Sequence, residues 1–413
     1  MINLTKLWTG VAQPADALRY GLGSGHRSRH GGAGPASAPA SARARKPIVV
    51  WNITRTCNLR CVHCYSDSAA AQYPGELTWE HMQAVVADLA SYQVPSLLLS
   101  GGEPLIHPRF FDLVQLATEA GLKLTISTNG TLITPEKAAL LKAANVAYVG
   151  ISLDGIGQVH DEFRRKEGAF DAAVRGFQNC RAVGQKTGLR LTLTRHNVAN
   201  IGGILDFIEE NEIPRVCFYH LVPAGRGGAM QVLDADESRR ALDTLIARVE
   251  AWHLQGIDRE LLTVTQPADG AYLLLRMEAE NHPNLAEARR LLSWNGGGAN
   301  SSGRGIANID TQGDVHPDQF WQTVTLGNVK ELPFSAIWEG QNPASAETLA
   351  AIRSIGLLSA DERQARMSGP CAACRWFALC GGGFRTRACF ANDGDLWGSD
   401  PGCYLRDDER RAA

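Results

Sequence analysis

The sequence predicts an α/β fold, a partial barrel of six βα units followed by a smaller cysteine-rich domain. Three observations carry this expectation. Short runs rich in Val, Ile and Leu alternate with stretches of helical periodicity between residues 47 and 221, and strands alternating with helices imply a parallel sheet. The runs are apolar on both faces, as in strands covered on both sides. Residues of unusual chemistry gather just after each run, the end where barrel enzymes carry their sites.

Residues 1–46 read as an N-terminal segment and linker. Residues 22–46 are Gly, Ala, Pro, Ser and Arg with almost no large apolar side chain, too little to offset the entropy of ordering them. The part before, around Trp8 and Leu18-Arg19-Tyr20-Gly21, is expected to dock on the body. Residues 47–228 form the barrel, with strands PIVVWNI, VPSLLLS, LKLTIST, VAYVGISL, GLRLTLT and RVCFYHL. Between them helices are expected after Thr78, a candidate N-cap, from about 108, from about 135 behind Thr134-Pro135-Glu136, at 169–184 and at 202–210. Residues 229–300 read as a helical bridge and 301–413 as the cysteine-rich domain, entered through a hairpin at Thr311-Gln312-Gly313-Asp314.

The totals exclude some classes. With 41 basic against 43 acidic residues among 413, nothing points to nucleic acid or an anionic membrane. No apolar run approaches the ~20 residues of a membrane span. The first residues hold too short an apolar stretch for a signal peptide, so a cytoplasmic location is expected. Ten cysteines in so long a chain then suggest metal or catalytic use over disulfides.

TRTCNLRCVHCY (54–65) places Cys57, Cys61 and Cys64 in one loop after the first strand. Structural zinc sites want four ligands and a catalytic disulfide wants two. Three local thiolates suit a cubane iron–sulfur cluster whose fourth iron is left open. Half of a zinc site is the alternative, and no fourth cysteine stands nearby to complete it. Together with GGEP (101–104) after the second strand, the loop resembles the radical S-adenosylmethionine (radical SAM) enzymes.

That resemblance implies a [4Fe-4S] cluster on Cys57, Cys61 and Cys64, with S-adenosyl-L-methionine chelating the open iron and yielding a 5'-deoxyadenosyl radical that abstracts hydrogen. Gly101 and Gly102 would let the backbone approach the methionyl amino group, with Glu103 a candidate acceptor. Asn129, Ser152, Asp154 and Arg190 fall where the family contacts ribose and carboxylate, although each is equally read as a cap or loop residue. Cys371, Cys374, Cys380 and Cys403 resemble the SPASM-type extension of this superfamily, implying a second, auxiliary [4Fe-4S] cluster; a zinc ribbon is the other reading of four cysteines. Asp318 follows Val315-His316-Pro317 where SPASM domains often have a cysteine, so a single auxiliary cluster is expected. Cys389 is a spare ligand or free thiol, and Cys180 and Cys217 read as buried structural thiols.

More narrowly, VVWNITRTCNLRCVHCYSDS, YPGELT, LLLSGGEPL and YVGISLDGIGQVHDEFRRKEGAFDAA resemble the radical SAM enzymes that trim side chains of 12,18-didecarboxysirohaem. This implies an iron tetrapyrrole substrate and an electron donor such as ferredoxin or flavodoxin. GIANID (305–310) and GDLWGSDPGCYL (394–405) favour the haem d1 branch, which acts on propionates. DALRYG (16–21) favours the alternative, an acetate-removing enzyme of the alternative haem pathway, and a SPASM-type peptide maturase is the further alternative. A substrate rich in carboxylates calls for arginine, and Arg164, Arg165 and Arg226 lie just past strand ends. His220 and His316 are candidates to ligate the substrate iron or move protons, and otherwise are hydrogen-bonded structural histidines.

Overall fold

The computed structural model describes residues 1–13, 16, 20, 46–230, 232–257, 259–295 and 301–411. Its strands are β1 (Ile2–Asn3), β2 (Ile48–Asn52), β3 (Leu97–Ser100), β4 (Leu124–Thr128), β5 (Tyr148–Ser152), β6 (Thr187–Leu193), β7 (Arg215–His220), β8 (Glu260–Val264), β9 (Ile306–Ile309), β10 (Asp314–His316) and β11 (Gly327–Asn328). By contact the chain divides into two units. One joins Lys46–Glu237 to Ser301–Gly356, and the other joins Met1–Arg45, Ser238–Asn300 and Leu357–Ala413.

In the first unit the six expected strands are β2 to β7, parallel and in chain order. Side chains alternate between the two faces of such a sheet. Leu97, Leu99, Leu124, Ile126, Val149, Ile151, Leu189 and Leu191 form a fully buried outer layer. The opposite face carries Asn52, Ser100, Ser127, Ser152, Arg190 and Tyr219, so the interior of the barrel is polar. Thr78 caps helix Trp79–Ser91 in a reciprocal box with His81, and Thr134 caps helix Pro135–Ala143. The helix expected from 108 starts at Phe110, because Pro104–Ile106 first form a 3-10 turn.

The hairpin at 311–314 is present, with β9 and β10 antiparallel, but β9 also pairs in parallel with β2. Asn308 Nδ2 fastens that seam by donating to Val50 O at 2.9 Å. Residues 301–356 therefore group with the barrel strands, and the cysteine-rich end begins later than the sequence suggested.

The second unit contains the stretch expected to be wholly helical. Helices Ala235–Leu254, Ala268–Ala279 and Leu285–Asn295 are there, but β8 interrupts them and pairs antiparallel with β1. The run Glu260-Leu261-Leu262-Thr263-Val264 is short and apolar, a length at which strand and helix periodicity cannot be told apart. Trp8 is buried against the His282 ring, and Tyr20 OH accepts from Asn3 N at 3.2 Å. The expected linker at 22–45, with Leu18, Arg19 and Gly21, lies outside the described residues. No described helix is long and apolar enough to cross a membrane.

Candidate active site

The three-thiol loop leaves β2 and folds back over the strand ends. Cys57 N donates to Ala69 O (2.9 Å), Arg60 N to Arg164 O (3.3 Å) and Val62 N to Phe163 O (3.0 Å). Cys57 and Cys61 are buried and Cys64 is half-buried. Every sulfur has donors beside it. Leu59 N (3.4 Å) and Asn129 Nδ2 (3.9 Å) face Cys57, Arg164 Nη1 (3.2 Å) faces Cys61, and Ser68 N (3.4 Å) and Ser66 Oγ (3.4 Å) face Cys64. Burial pushes the Cys57 thiol up to about 12, and raises Cys61 against the pull of Arg164. Burial thus favours the neutral thiol at Cys57 and Cys61, and binding of metal would displace their protons. Among the described residues no three metal-ligating side chains converge on one ion.

GGEP locks this loop to the sheet. Gly102 N donates to Thr54 O (2.7 Å) and Glu103 N to Thr56 O (3.0 Å). A Cβ on Gly101 would stand 2.3 Å from Thr54 O, and one on Gly102 2.3 Å from Thr56 O. These glycines are therefore required by backbone packing, whatever else approaches them. Glu103, expected as a cofactor acceptor, is occupied internally. Its carboxylate accepts from Leu105 N (3.1 Å), Thr128 Oγ1 (2.8 Å) and Asn129 N (2.8 Å), and burial raises its pKa against those bonds. Asn129 in turn reaches Asn58 Oδ1 (2.9 Å), so Glu103 ties the β3 and β4 ends to the thiol loop.

Deeper in the barrel, Arg190 stands opposite Ser152 in the β5–β6 register and crosses Gly150 to donate to Ser127 Oγ at 3.0 Å. Its Nε is buried without a partner among the described residues, and Tyr219, Tyr148 and Cys217 favour its charge while burial and Arg215 oppose it. Asp154 is differently placed. It is 1% exposed, accepts from Thr192 N (2.7 Å), and forms an ion pair with Arg164. Asp154, expected as a cofactor contact, is engaged in that pairing.

The match to known proteins follows the same residues. Positions 51–208 fit the model of the Radical SAM superfamily. The Fe-coproporphyrin III synthase of Methanosarcina barkeri is 44% identical over 99% of this chain and 98% of its own length. The chain belongs to the radical SAM superfamily, among its haem-related synthases. The pre-heme d1 synthase of Dinoroseobacter shibae is 42% identical over 87% of this chain and 86% of its own. Streptococcus suis SuiB bound to S-adenosylmethionine shares the fold, with a TM-score of 0.66 at 17% identity over 87% of this chain and 78% of that one. As a radical SAM enzyme the chain uses a [4Fe-4S] cluster and S-adenosyl-L-methionine.

Two arginines expected to bind substrate in this radical SAM enzyme have other partners. Arg226 clamps the thiol loop: its Nε donates to Cys61 O (2.9 Å), Nη1 to Asp67 Oδ1 (2.6 Å) and Nη2 to Ser68 O (2.8 Å). Gly225 beside it has φ 54°, and a Cβ there would meet Tyr65 O at 2.4 Å. Arg164 lies between Cys61 and Asp154, and although burial opposes its charge those neighbours hold it above the ordinary arginine range. Arg165 makes no ion pair among the described residues and lines an open groove with Lys166. His316 is buried in the hairpin, its Nδ1 on Val324 O (2.8 Å) and its Nε2 3.7 Å from Asp310, which is a structural setting. His220 is buried at the end of β7.

In the second unit Cys371, Cys374 and Cys380 are buried and Cys403 half-buried. Burial pushes Cys380 up to about 12, with Cys403, Cys374 and Cys371 all acting on it. Gln364 Nε2 holds the carbonyls of Cys371 (3.3 Å) and Cys374 (2.9 Å). These four thiols fit an auxiliary cluster. Cys389 has Arg385 and Asp395 as its electrostatic neighbours instead, and Cys180 and Cys217 are core thiols. Asp318, where a further cysteine was considered, accepts from Phe320 N (2.8 Å) and Trp321 N (3.0 Å) to hold a turn.

Sequence reading missed the pairing of Asp154 with Arg164 and the approach of His63 Nε2 to within 3.9 Å of the same carboxylate. The one available signal was the Asp-x5-His-x3-Arg spacing of residues 154, 160 and 164. His160 Nδ1 accepts from Asp154 N at 3.1 Å, so the three residues form one local unit.

Proposed function

We propose that this enzyme removes acetate side chains from 12,18-didecarboxysirohaem, an iron tetrapyrrole, by hydrogen abstraction at the barrel mouth. The observation that carries the reading is the pairing of a donor-lined three-thiol loop with a half-buried cation, Arg190, that donates to the Ser127 hydroxyl and makes no ion pair with a carboxylate among the described residues. The methionyl carboxylate of S-adenosyl-L-methionine would supply a balancing charge, and Ser152 at the end of β5 would meet its polar groups. The cluster, when bound by Cys57, Cys61 and Cys64, supplies the electron for cleavage of that cofactor. Everything else is positioning: Glu103, Arg226 and the GGEP backbone fix the loop. Cys371, Cys374, Cys380 and Cys403 are assigned to the auxiliary cluster.

Arg60 and Arg165 are exposed on either side of the hydrogen bond from Arg60 N to Arg164 O, next to the thiol loop. They are assigned to hold substrate carboxylates, since Arg164 and Arg226 are engaged. The acetate reading is supported by the likeness to Fe-coproporphyrin III synthase along 99% of this chain and by an N-terminus built into the fold through β1.

The propionate reading of the haem d1 branch rests on two stretches that have architectural duties. GIANID is the β9 seam. In GDLWGSDPGCYL, Asp400 pairs with Arg387 (2.7 Å) and accepts from Phe384 N (2.7 Å) and Gly402 N (2.9 Å), building the Cys403 turn. Anaerobic turnover with didecarboxysirohaem, S-adenosyl-L-methionine and a low-potential donor of the ferredoxin or flavodoxin class, read by mass spectrometry, decides the matter. Iron coproporphyrin is expected. Products altered at propionates with the acetates retained would move the chain to the haem d1 branch, and peptide modification without tetrapyrrole turnover would overturn both.

A further inference from the structure

We propose that Arg164 and Asp154 form a buried charge pair that sets the reduction potential of the cluster at Cys57, Cys61 and Cys64. The inference rests on assigning that cluster to those thiols.

The arrangement is specific. Arg164 is 5% exposed, donates Nη1 to Cys61 Sγ at 3.2 Å and pairs through Nη2 with Asp154. Asp154 is 1% exposed, held by Thr192 N (2.7 Å) on one oxygen, with His63 Nε2 3.9 Å from the other. The hydrogen-bond partners of the other two sulfurs are neutral, the amide of Leu59 and the Asn129 side chain at Cys57, and Ser66 and Ser68 at Cys64, with the Glu103 carboxylate acting on Cys57 from further off. Arg226, the second arginine at the loop, meets a backbone carbonyl of Cys61 and not its sulfur.

Fastening alone does not call for this chemistry. The loop is already pinned by Val62 N on Phe163 O and by three Arg226 bonds, and a buried ion pair costs desolvation that an apolar or neutral contact would avoid. Its distinctive consequence is electrostatic. Reducing the cluster adds one electron, part of whose charge falls on the ligand sulfurs. A cationic N–H donor favours that state and a nearby carboxylate opposes it, with little screening in a buried setting. Arg164 therefore raises the potential and Asp154 moderates the rise.

The two residues should consequently act with opposite sign, which a merely structural pair would not do. The test uses the full-length, anaerobically reconstituted enzyme, titrated with dithionite and followed through the electron paramagnetic resonance signal that changes on adding S-adenosyl-L-methionine. Iron content and circular dichroism are recorded alongside. In Arg164→Gln the ratio of reduced to oxidised cluster at a fixed ambient potential should fall about tenfold, equivalent to about 59 mV for one electron. In Asp154→Asn it should rise by a similar factor, and Arg164→Lys should stay near the parent value. Unchanged potentials, or shifts of the same sign in Gln and Asn variants, overturn the proposal. Should Arg164→Gln fail to retain iron, Asp154→Asn decides alone, and the absence of a rise refutes it. A parent enzyme with no signal responsive to S-adenosyl-L-methionine would instead defeat the cluster assignment beneath it.

Discussion

Glu103 shows how one buried side chain governs the geometry of a cluster loop. Both its oxygens accept backbone amides, from Leu105 and Asn129, and an amide nitrogen can accept from neither. Glu103→Gln therefore leaves a buried N–H facing another donor, at a cost of about 1–3 kcal/mol. The expected result is a melting temperature lower by roughly 1–4 °C, read by differential scanning calorimetry of parent and variant. His316 makes a second case at this scale. Burial pulls its pKa down, but the nearby Asp310 carboxylate and the hydrogen bond to Val324 O raise it above the usual 6.5. A raised histidine stabilises the fold at pH values below its unfolded pKa and loses that contribution as pH climbs through the folded one. In Asp310→Asn burial acts with less opposition, so the ring should titrate below its parent value in histidine-labelled NMR spectra; an unmoved titration would dismiss the pairing.

At the scale of elements, the interior of the barrel depends on a small residue on β5. Gly150 lies under the Arg190 side chain, and a Cβ there would come within 2.5 Å of Nε. The obstacle meets the end of a flexible side chain, so Gly150→Ala should displace the guanidinium and spare the sheet. Losing a charge-assisted bond costs roughly 1.5–3 kcal/mol, hence a ten- to hundredfold weaker affinity for S-adenosyl-L-methionine by calorimetric titration. An affinity equal to the parent's would remove Arg190 from the cofactor site. The six strands and the caps at Thr78 and Thr134 were readable because each is a local pattern. β8 was not, since its partner β1 lies some 260 residues away in sequence, and neither was the β9 pairing with β2.

For the whole molecule, the two groups of cysteines fall in different compact units. Each is complete within its own unit, three thiols after β2 and four in the C-terminal stretch. Anaerobic reconstitution should give about eight iron and eight sulfide per chain, and replacing Cys57, Cys61 and Cys64 with alanine should leave about half. Iron and acid-labile sulfide assays check this; stoichiometric zinc at the C-terminal four would return them to a ribbon.

The sequence alone determined the fold class, the positions of the barrel strands and the cysteines of both groups, because thiol spacing and strand alternation are properties of neighbouring residues. The tertiary structure decided what the charged residues do. Arg164, Arg226, Asp154 and Glu103 each looked available for a ligand when judged by position at a strand end. Folding brings each against a partner remote in sequence, Cys61 to Arg164 and Cys61 to Arg226 among them. A buried charge must find compensation, and only the folded chain shows which residue provides it, as Asp154 does for Arg164.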